Sequence, residues 1–297
     1  MTECAFGRLI TAMVTPFDER GELDLPTAAR LAVRLVDEQH NDALLVNGTT
    51  GEAPTTTDAE KAALVATVKR AVGDRVKIIA GVGTNDTRHT VQLAKQASDA
   101  GADGLLAVTP YYSLPPQDAI IGYFTAVADA TELPVIIYDI PHRTGRPVET
   151  ASLITLAAHP RIIGVKDAKK DLVASAQVMA ATDLVYWAGD DALTLPLLAV
   201  GGYGVVGTST HFTGARAKQM IEAFLAGRVA EARALNADLL PVFTGVFATQ
   251  GCMLVKAGLA HQGFPVGGLR EPLRPASPDQ AAAFAAILDA AGLGVRV

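Results

Sequence analysis

The sequence predicts an α/β protein: a (β/α)8 barrel of the TIM type with a C-terminal helical appendage. Three observations carry that expectation. Short apolar runs rich in Val, Ile and Leu barely alternate with polar residues, as strands buried on both faces do. Amphipathic helical patterns separate the runs. Polar and glycine-rich motifs follow several of them directly, at positions a closed barrel gathers around one mouth. An open doubly wound sheet would alternate in the same way, but the G-x-G-x-x-G expected after its first strand is absent.

The expected strands are residues 9–14, 43–46, 77–81, 104–108, 134–138, 162–166, 184–187 and 203–206. Between them Ala28, Leu31, Ala32, Leu35 and Val36 follow helical spacing, as do Leu64, Val65, Val68, Ala71 and Val72. Ile120, Ile121, Phe124, Val127 and Ala128 do the same. Thr57 and Glu60 have the spacing of a capping box, and Gly73 and Gly101 stand where helices stop. Alternation ends after Thr213, and helices are expected near 215–226, 229–248, 250–260 and 278–292. Ser277, Pro278 and Gln280 form a start signal for the last. Residues 1–225 are read as the barrel carrying the active site, and 226–297 as an appendage packed on it.

Composition narrows the function. Apolar residues make up 49% and charged residues 19%, enough for a large core. The net charge of -6, with no basic stripe, gives nucleic-acid binding no electrostatic support. No apolar stretch is long enough for a membrane span, and the N-terminus lacks the pattern of a secretory leader, so a cytoplasmic location is expected. The two cysteines, Cys4 and Cys252, suggest reduced thiols. The six histidines show no metal-binding spacing, and neither a P-loop nor a G-x-S-x-G elbow occurs. Neither metal nor cofactor is expected. Gly189-Asp190-Asp191 reads as a helix cap with a solvated neighbour.

Five motifs could carry chemistry. Lys166 ends an apolar strand; buried there, its amine would lose its proton and attack carbonyls, whereas a snorkelling head would stay charged in solvent. Tyr138 ends the preceding strand, either as a phenol that shuttles protons or as a tied core tyrosine. Gly48-Thr49-Thr50-Gly51-Glu52 offers hydroxyls and free N–H groups to a carboxylate, or is an ordinary turn. Thr109-Pro110-Tyr111-Tyr112 suits a ligand, an oligomer contact or both. Arg143 suits bidentate binding of a carboxylate, or a surface ion pair.

Taken together, these motifs resemble the dihydrodipicolinate synthase / N-acetylneuraminate lyase family. Val14-Thr15-Pro16-Phe17, Ala80-Gly81-Val82-Gly83, Tyr138-Asp139-Ile140-Pro141, Gly164-Val165-Lys166-Asp167-Ala168 and Gly189-Asp190-Asp191 join the motifs above in the family's order. The likeness implies a lyase in which Lys166 condenses with pyruvate while Tyr138, Thr49 and Tyr112 relay protons. It implies that Tyr112 crosses a subunit interface in a homotetramer built as a dimer of dimers. Thr50, Gly48 and the backbone at Val206 would border the pyruvate carboxylate. Arg143 would receive the carboxylate of aspartate semialdehyde, favouring the branch that makes diaminopimelate and lysine precursors over one cleaving a longer 2-oxo acid such as a sugar acid. Lys169-Lys170 departs from the family's usual Thr-Gly. Where some relatives hold feedback lysine with two histidines and an acid, this chain has Asp58, Lys61 and His89, so weak or absent lysine inhibition is expected.

Overall fold

The computed structural model describes residues 4–294. Residues 1–3 and 295–297, the outer ends of the two expected segments and the start of the stretch read for a leader, lie outside the described residues. The chain runs β1 (Leu9–Ala12), α1 (Leu25–Asp37), β2 (Ala43–Val46), α2 (Asp58–Val72), β3 (Lys77–Gly81), α3 (Thr87–Asp99), β4 (Gly104–Val108) and α4 (Gln117–Asp129). It continues through β5 (Val135–Asp139), α5 (Pro141–Thr144), α6 (Thr150–Leu156), β6 (Ile162–Asp167), α7 (Leu172–Ala181), β7 (Val185–Ala188), α8 (Thr194–Ala199) and β8 (Gly204–Gly207). The remaining helices are α9 (Thr210–Leu225), α10 (Val229–Gly245), α11 (Gly251–His261) and α12 (Pro278–Ala290).

Each strand pairs in parallel with the next, and β8 closes on β1. Because successive side chains alternate between faces, the apolar runs divide into two cores. Ile10, Leu45, Ile79, Leu106, Ile136, Trp187 and Val206 fill the barrel interior. Leu44, Ile78, Leu105, Ile137 and Val165 face the helices and pack against residues such as Leu31, Val68 and Phe124. Burying each such side chain contributes roughly 1.5–3 kcal/mol, which is why alternation is hidden when both faces are covered. At the N-terminal end of the strands the Phe6 ring plugs the barrel. A methyl group on Gly104 would meet that ring at 2.3 Å, so only glycine fits there.

The capping boxes at Thr57/Glu60 and Ser277/Gln280 both form, with Pro278 in the first turn of α12. Gly73 caps α2 at φ +62°, and Gly101 follows the end of α3 at φ +93°. The structure departs from the expected boundaries in two informative places. β1 stops at Ala12 rather than 14, because the Val14 N–H is taken by the His211 imidazole at 3.2 Å. α9 begins at Thr210 rather than 215. Its first residues look like loop in sequence, yet they are buried, with the Thr210 hydroxyl accepting from Thr11 (2.8 Å) and the Thr213 hydroxyl bonded to the Ser209 carbonyl (3.1 Å).

Candidate active site

Register places the central pair. Tyr138 of β5 lies opposite Lys166 of β6, and both occupy inward positions at the C-terminal ends of their strands. Their neighbours Asp139 and Asp167 point outward: Asp139 accepts from the Val148 N–H, and Asp167 accepts from Ser175 of α7. The Lys166 Nζ sits 4.2 Å from the centre of the Tyr138 ring. Lys166 is only 5% exposed, so its head does not snorkel into solvent. Burial pulls its pKa down to about 8; Asp191 opposes the shift and Arg143 assists it. Burial raises the Tyr138 phenol above its ordinary value, with Arg143 and a hydrogen bond from the Thr49 side chain pulling the other way. The phenol therefore stays protonated at neutral pH and is able to donate a proton.

The loop after β2 forms one wall. Turn hydrogen bonds from Gly51 N to Gly48 O (3.0 Å) and Glu52 N to Thr49 O (3.2 Å) fold Gly48-Thr49-Thr50-Gly51 tightly. The Thr50 hydroxyl meets that of Thr208 at 3.1 Å. Asn47 (φ +58°) and Glu52 (φ +57°) bracket the loop in the left-handed region, each at a cost of about 1–3 kcal/mol. Tyr112 (φ +73°), Leu114 (φ +49°) and Lys170 (φ +68°) adopt the same strained conformation in other loops at this mouth.

Two cavities meet at the mouth. The larger, about 590 Å³, is lined by Lys166, Thr49, Thr50, Tyr138, Arg143 and Thr208 among others. The smaller, about 390 Å³, includes Gly48, Asp58, Lys61, Asn85, His89 and Tyr111. Thr49, Tyr138, Ile140 and Arg143 form their common wall. Lys166 thus sits beside Thr49, Thr50, Tyr138 and Arg143, five residues singled out from sequence. Gly48 borders the smaller space. Val206 lies in the interior layer with Tyr138 and Trp187. Tyr112 is 89% exposed and lines neither cavity within its own chain.

Several residues that border the cavities were not placed there by the sequence. Asp191 is buried rather than solvated, accepting from the N–H groups of Thr208 (3.1 Å) and Ser209 (2.9 Å). Of the helix cap and solvated neighbour expected there, only the cap is found: it is Asp190, which accepts from Ala192 N–H at 3.1 Å. Asp190 also pairs with the Lys170 ammonium at 2.6 Å. Phe243, Thr244, Phe247 and Gln250 line the larger cavity although they lie in the C-terminal segment. Cys252 lines it too, but burial and the Glu52 charge push its thiol up to about 12, which leaves Lys166 the better nucleophile. Among the described residues no His/Cys/Asp/Glu cluster suited to a metal is present, and no helix is long and apolar enough to cross a membrane.

A partly deprotonated amine and a phenol at adjacent strand ends of a (β/α)8 barrel define a lyase of the Schiff-base-forming type. The chain belongs to the dihydrodipicolinate synthetase family, whose model matches residues 5–291. It is 59% identical over 289 residues to the 4-hydroxy-tetrahydrodipicolinate synthase of Cutibacterium acnes, covering 97% of this chain and 99% of that one. The crystal structure of DHDPS from Cyanidioschyzon merolae with lysine bound superposes with a TM-score of 0.96 at 40% identity, covering 98% of this chain and all of that one. The chloride-inhibited enzyme of Acinetobacter baumannii complexed with pyruvate superposes with a TM-score of 0.93 at 30% identity, covering 97% and 99% of the two chains.

Proposed function

We propose that this chain condenses pyruvate with aspartate 4-semialdehyde, the activity of a 4-hydroxy-tetrahydrodipicolinate synthase in the diaminopimelate route to lysine. The observation that carries the reading is the Lys166 amine, buried, shifted to about 8 and 4.2 Å from the Tyr138 ring. The neutral amine attacks the pyruvate ketone carbon and water leaves, giving an imine whose protonated nitrogen draws electrons from the methyl group. Loss of a methyl proton yields an enamine, which adds to the aldehyde. The amine of the second substrate then displaces Lys166 and closes a ring.

In this reading Tyr138 passes protons between amine and oxygen, with Thr49 as its hydrogen-bonding neighbour. Thr50, Gly48 and the backbone near Val206 receive the pyruvate carboxylate. Arg143, exposed at the mouth, takes the carboxylate of the semialdehyde. The outward, strained Tyr112 joins the relay in a second copy's site, which makes at least a dimer necessary and a homotetramer the proposed assembly. The division into a barrel at 1–225 and an appendage at 226–297 belongs to the same proposal, as does a cytoplasmic location. No cofactor or metal enters the scheme, and the partners are small molecules rather than nucleic acid or membrane. Borohydride reduction in the presence of pyruvate, followed by mass spectrometry, should place a pyruvate-derived mass on Lys166. Turnover with aspartate semialdehyde should then separate this activity from cleavage of longer 2-oxo acids. A labelled residue other than Lys166 would overturn the mechanism.

A further inference from the structure

The loop that cradles substrate is gripped from the C-terminal segment. Glu52 ends that loop in a left-handed conformation (φ +57°), and its carboxylate is fully buried. Its Oε1 lies 2.7 Å from the Lys256 Nζ of α11, whose side chain is only 3% exposed. Its Oε2 accepts from the Arg270 N–H at 3.1 Å. Lys256 also donates to the Gly268 carbonyl at 2.5 Å, and it stands 4.5 Å from the centre of the Phe17 ring. The Arg270 guanidinium covers the same ring at 4.4 Å and holds Glu60, in the first turn of α2, at 2.5 Å. Glu52 is thus tied to two segments far along the chain, while its N–H bonds to Thr49 O (3.2 Å).

The other end of the loop is held differently. Asn47, also left-handed, donates to the Lys61 carbonyl at 3.1 Å. A methyl group on Gly81 would strike the Asn47 carbonyl at 2.3 Å, so the backbone of β3 abuts it. Two residues in an unfavourable conformation persist only where their surroundings over-determine them. At Glu52 the surroundings are the buried ion pair. Such pairs add little net stability, because desolvation offsets attraction, but they fix orientation.

We propose that Glu52 and Lys256 are positioning residues that set the Thr49-Thr50 backbone for the substrate carboxylate, so that the C-terminal segment completes the pyruvate site. This rests on the assignment of Thr50 to the pyruvate carboxylate. The pair does not touch the reacting atoms. It acts through the Glu52–Thr49 turn, and its loss should weaken the binding of pyruvate more than that of the second substrate.

Steady-state kinetics with both substrates, together with thermal unfolding, test the idea on Lys256→Gln and on the double variant Glu52→Gln/Lys256→Met. The double variant removes both charges, leaves no lone buried ion, and should keep a melting temperature near that of the parent. Both variants should raise KM for pyruvate by about tenfold or more while KM for aspartate semialdehyde stays within about twofold. A double variant that melts normally and keeps the parental KM for pyruvate would overturn the proposal, as would equal rises in both KM values. If the double variant melts low, Lys256→Gln alone decides by the same split, since it removes the ion pair and leaves Glu52 itself in place. Thr50→Ala serves as the independent control. An unchanged KM for pyruvate in Thr50→Ala would sink the assignment of the cradle itself, whereas a raised KM there with parental values in the pair variants would sink only the role of the pair.

Discussion

Tyr138 and Lys166 stand opposite each other across the β5–β6 ladder, and the lysine ammonium position is 4.2 Å from the centre of the phenol ring. That relationship follows from parallel pairing: both residues are the last inward position of their strands, so neither can turn away from the other without breaking the barrel's alternation. Four predictions follow from it and from the surrounding geometry.

Lys166→Met should abolish the borohydride-trapped pyruvate adduct and lower kcat/KM by on the order of 10⁴-fold, the scale of losing a covalent nucleophile. The variant should also melt at or above the parental temperature. Lys166 is 5% exposed, and an apolar side chain of similar length removes a desolvation cost. Circular dichroism melts check the second outcome.

The pH dependence should carry the shifted amine. Only the neutral form attacks, so kcat/KM for pyruvate should rise with pH and level off above about 8. Stability responds in the same direction. The folded pKa of about 8 lies below the ordinary 10.5, so the unfolded chain binds the extra proton between those values. The destabilisation from burying Lys166 is complete below about 8 and is relieved as pH rises toward 10.5. Lys166→Met should remove that part of the slope in denaturant titrations across the window.

Arg143→Ala should raise KM for aspartate semialdehyde by roughly 30-fold, the equivalent of about 2 kcal/mol for a charge-assisted contact. Adduct formation with pyruvate should survive, because Lys166 and the Thr49-Thr50 loop are untouched. Single-turnover trapping alongside steady-state kinetics separates the two steps.

Lysine should inhibit weakly or not at all in the micromolar range. In the smaller cavity the Asp58 carboxylate is already engaged by the His89 ring nitrogen at 2.9 Å, and the Lys61 amine, bonded to the Thr56 carbonyl, occupies the same wall. A cationic amino acid would meet a cation where it needs an anion. Isothermal titration of lysine into the protein, with inhibition curves at saturating pyruvate, checks this outcome.

Much of this molecule is determined by local sequence. Buried strands announce themselves by unbroken apolar runs, caps by Thr57/Glu60 and Ser277/Gln280, and the Tyr138–Lys166 pair by polar residues placed at the ends of apolar runs. These signals are short-range, because propensity and hydrogen bonding to near neighbours act within a few residues. Tertiary structure alone decided the rest. Asp191 looks solvated until β8 brings the Thr208 and Ser209 amides to it. The polar start of α9 looks like loop until the Thr11 hydroxyl of β1 donates to that of Thr210. The partnership of Glu52 with Lys256 spans the barrel and the C-terminal helices, and nothing in either local motif marks it. A buried charge is tolerable only when a partner arrives from elsewhere, and which partner arrives depends on the closure of the whole barrel, not on the residues beside it in the chain.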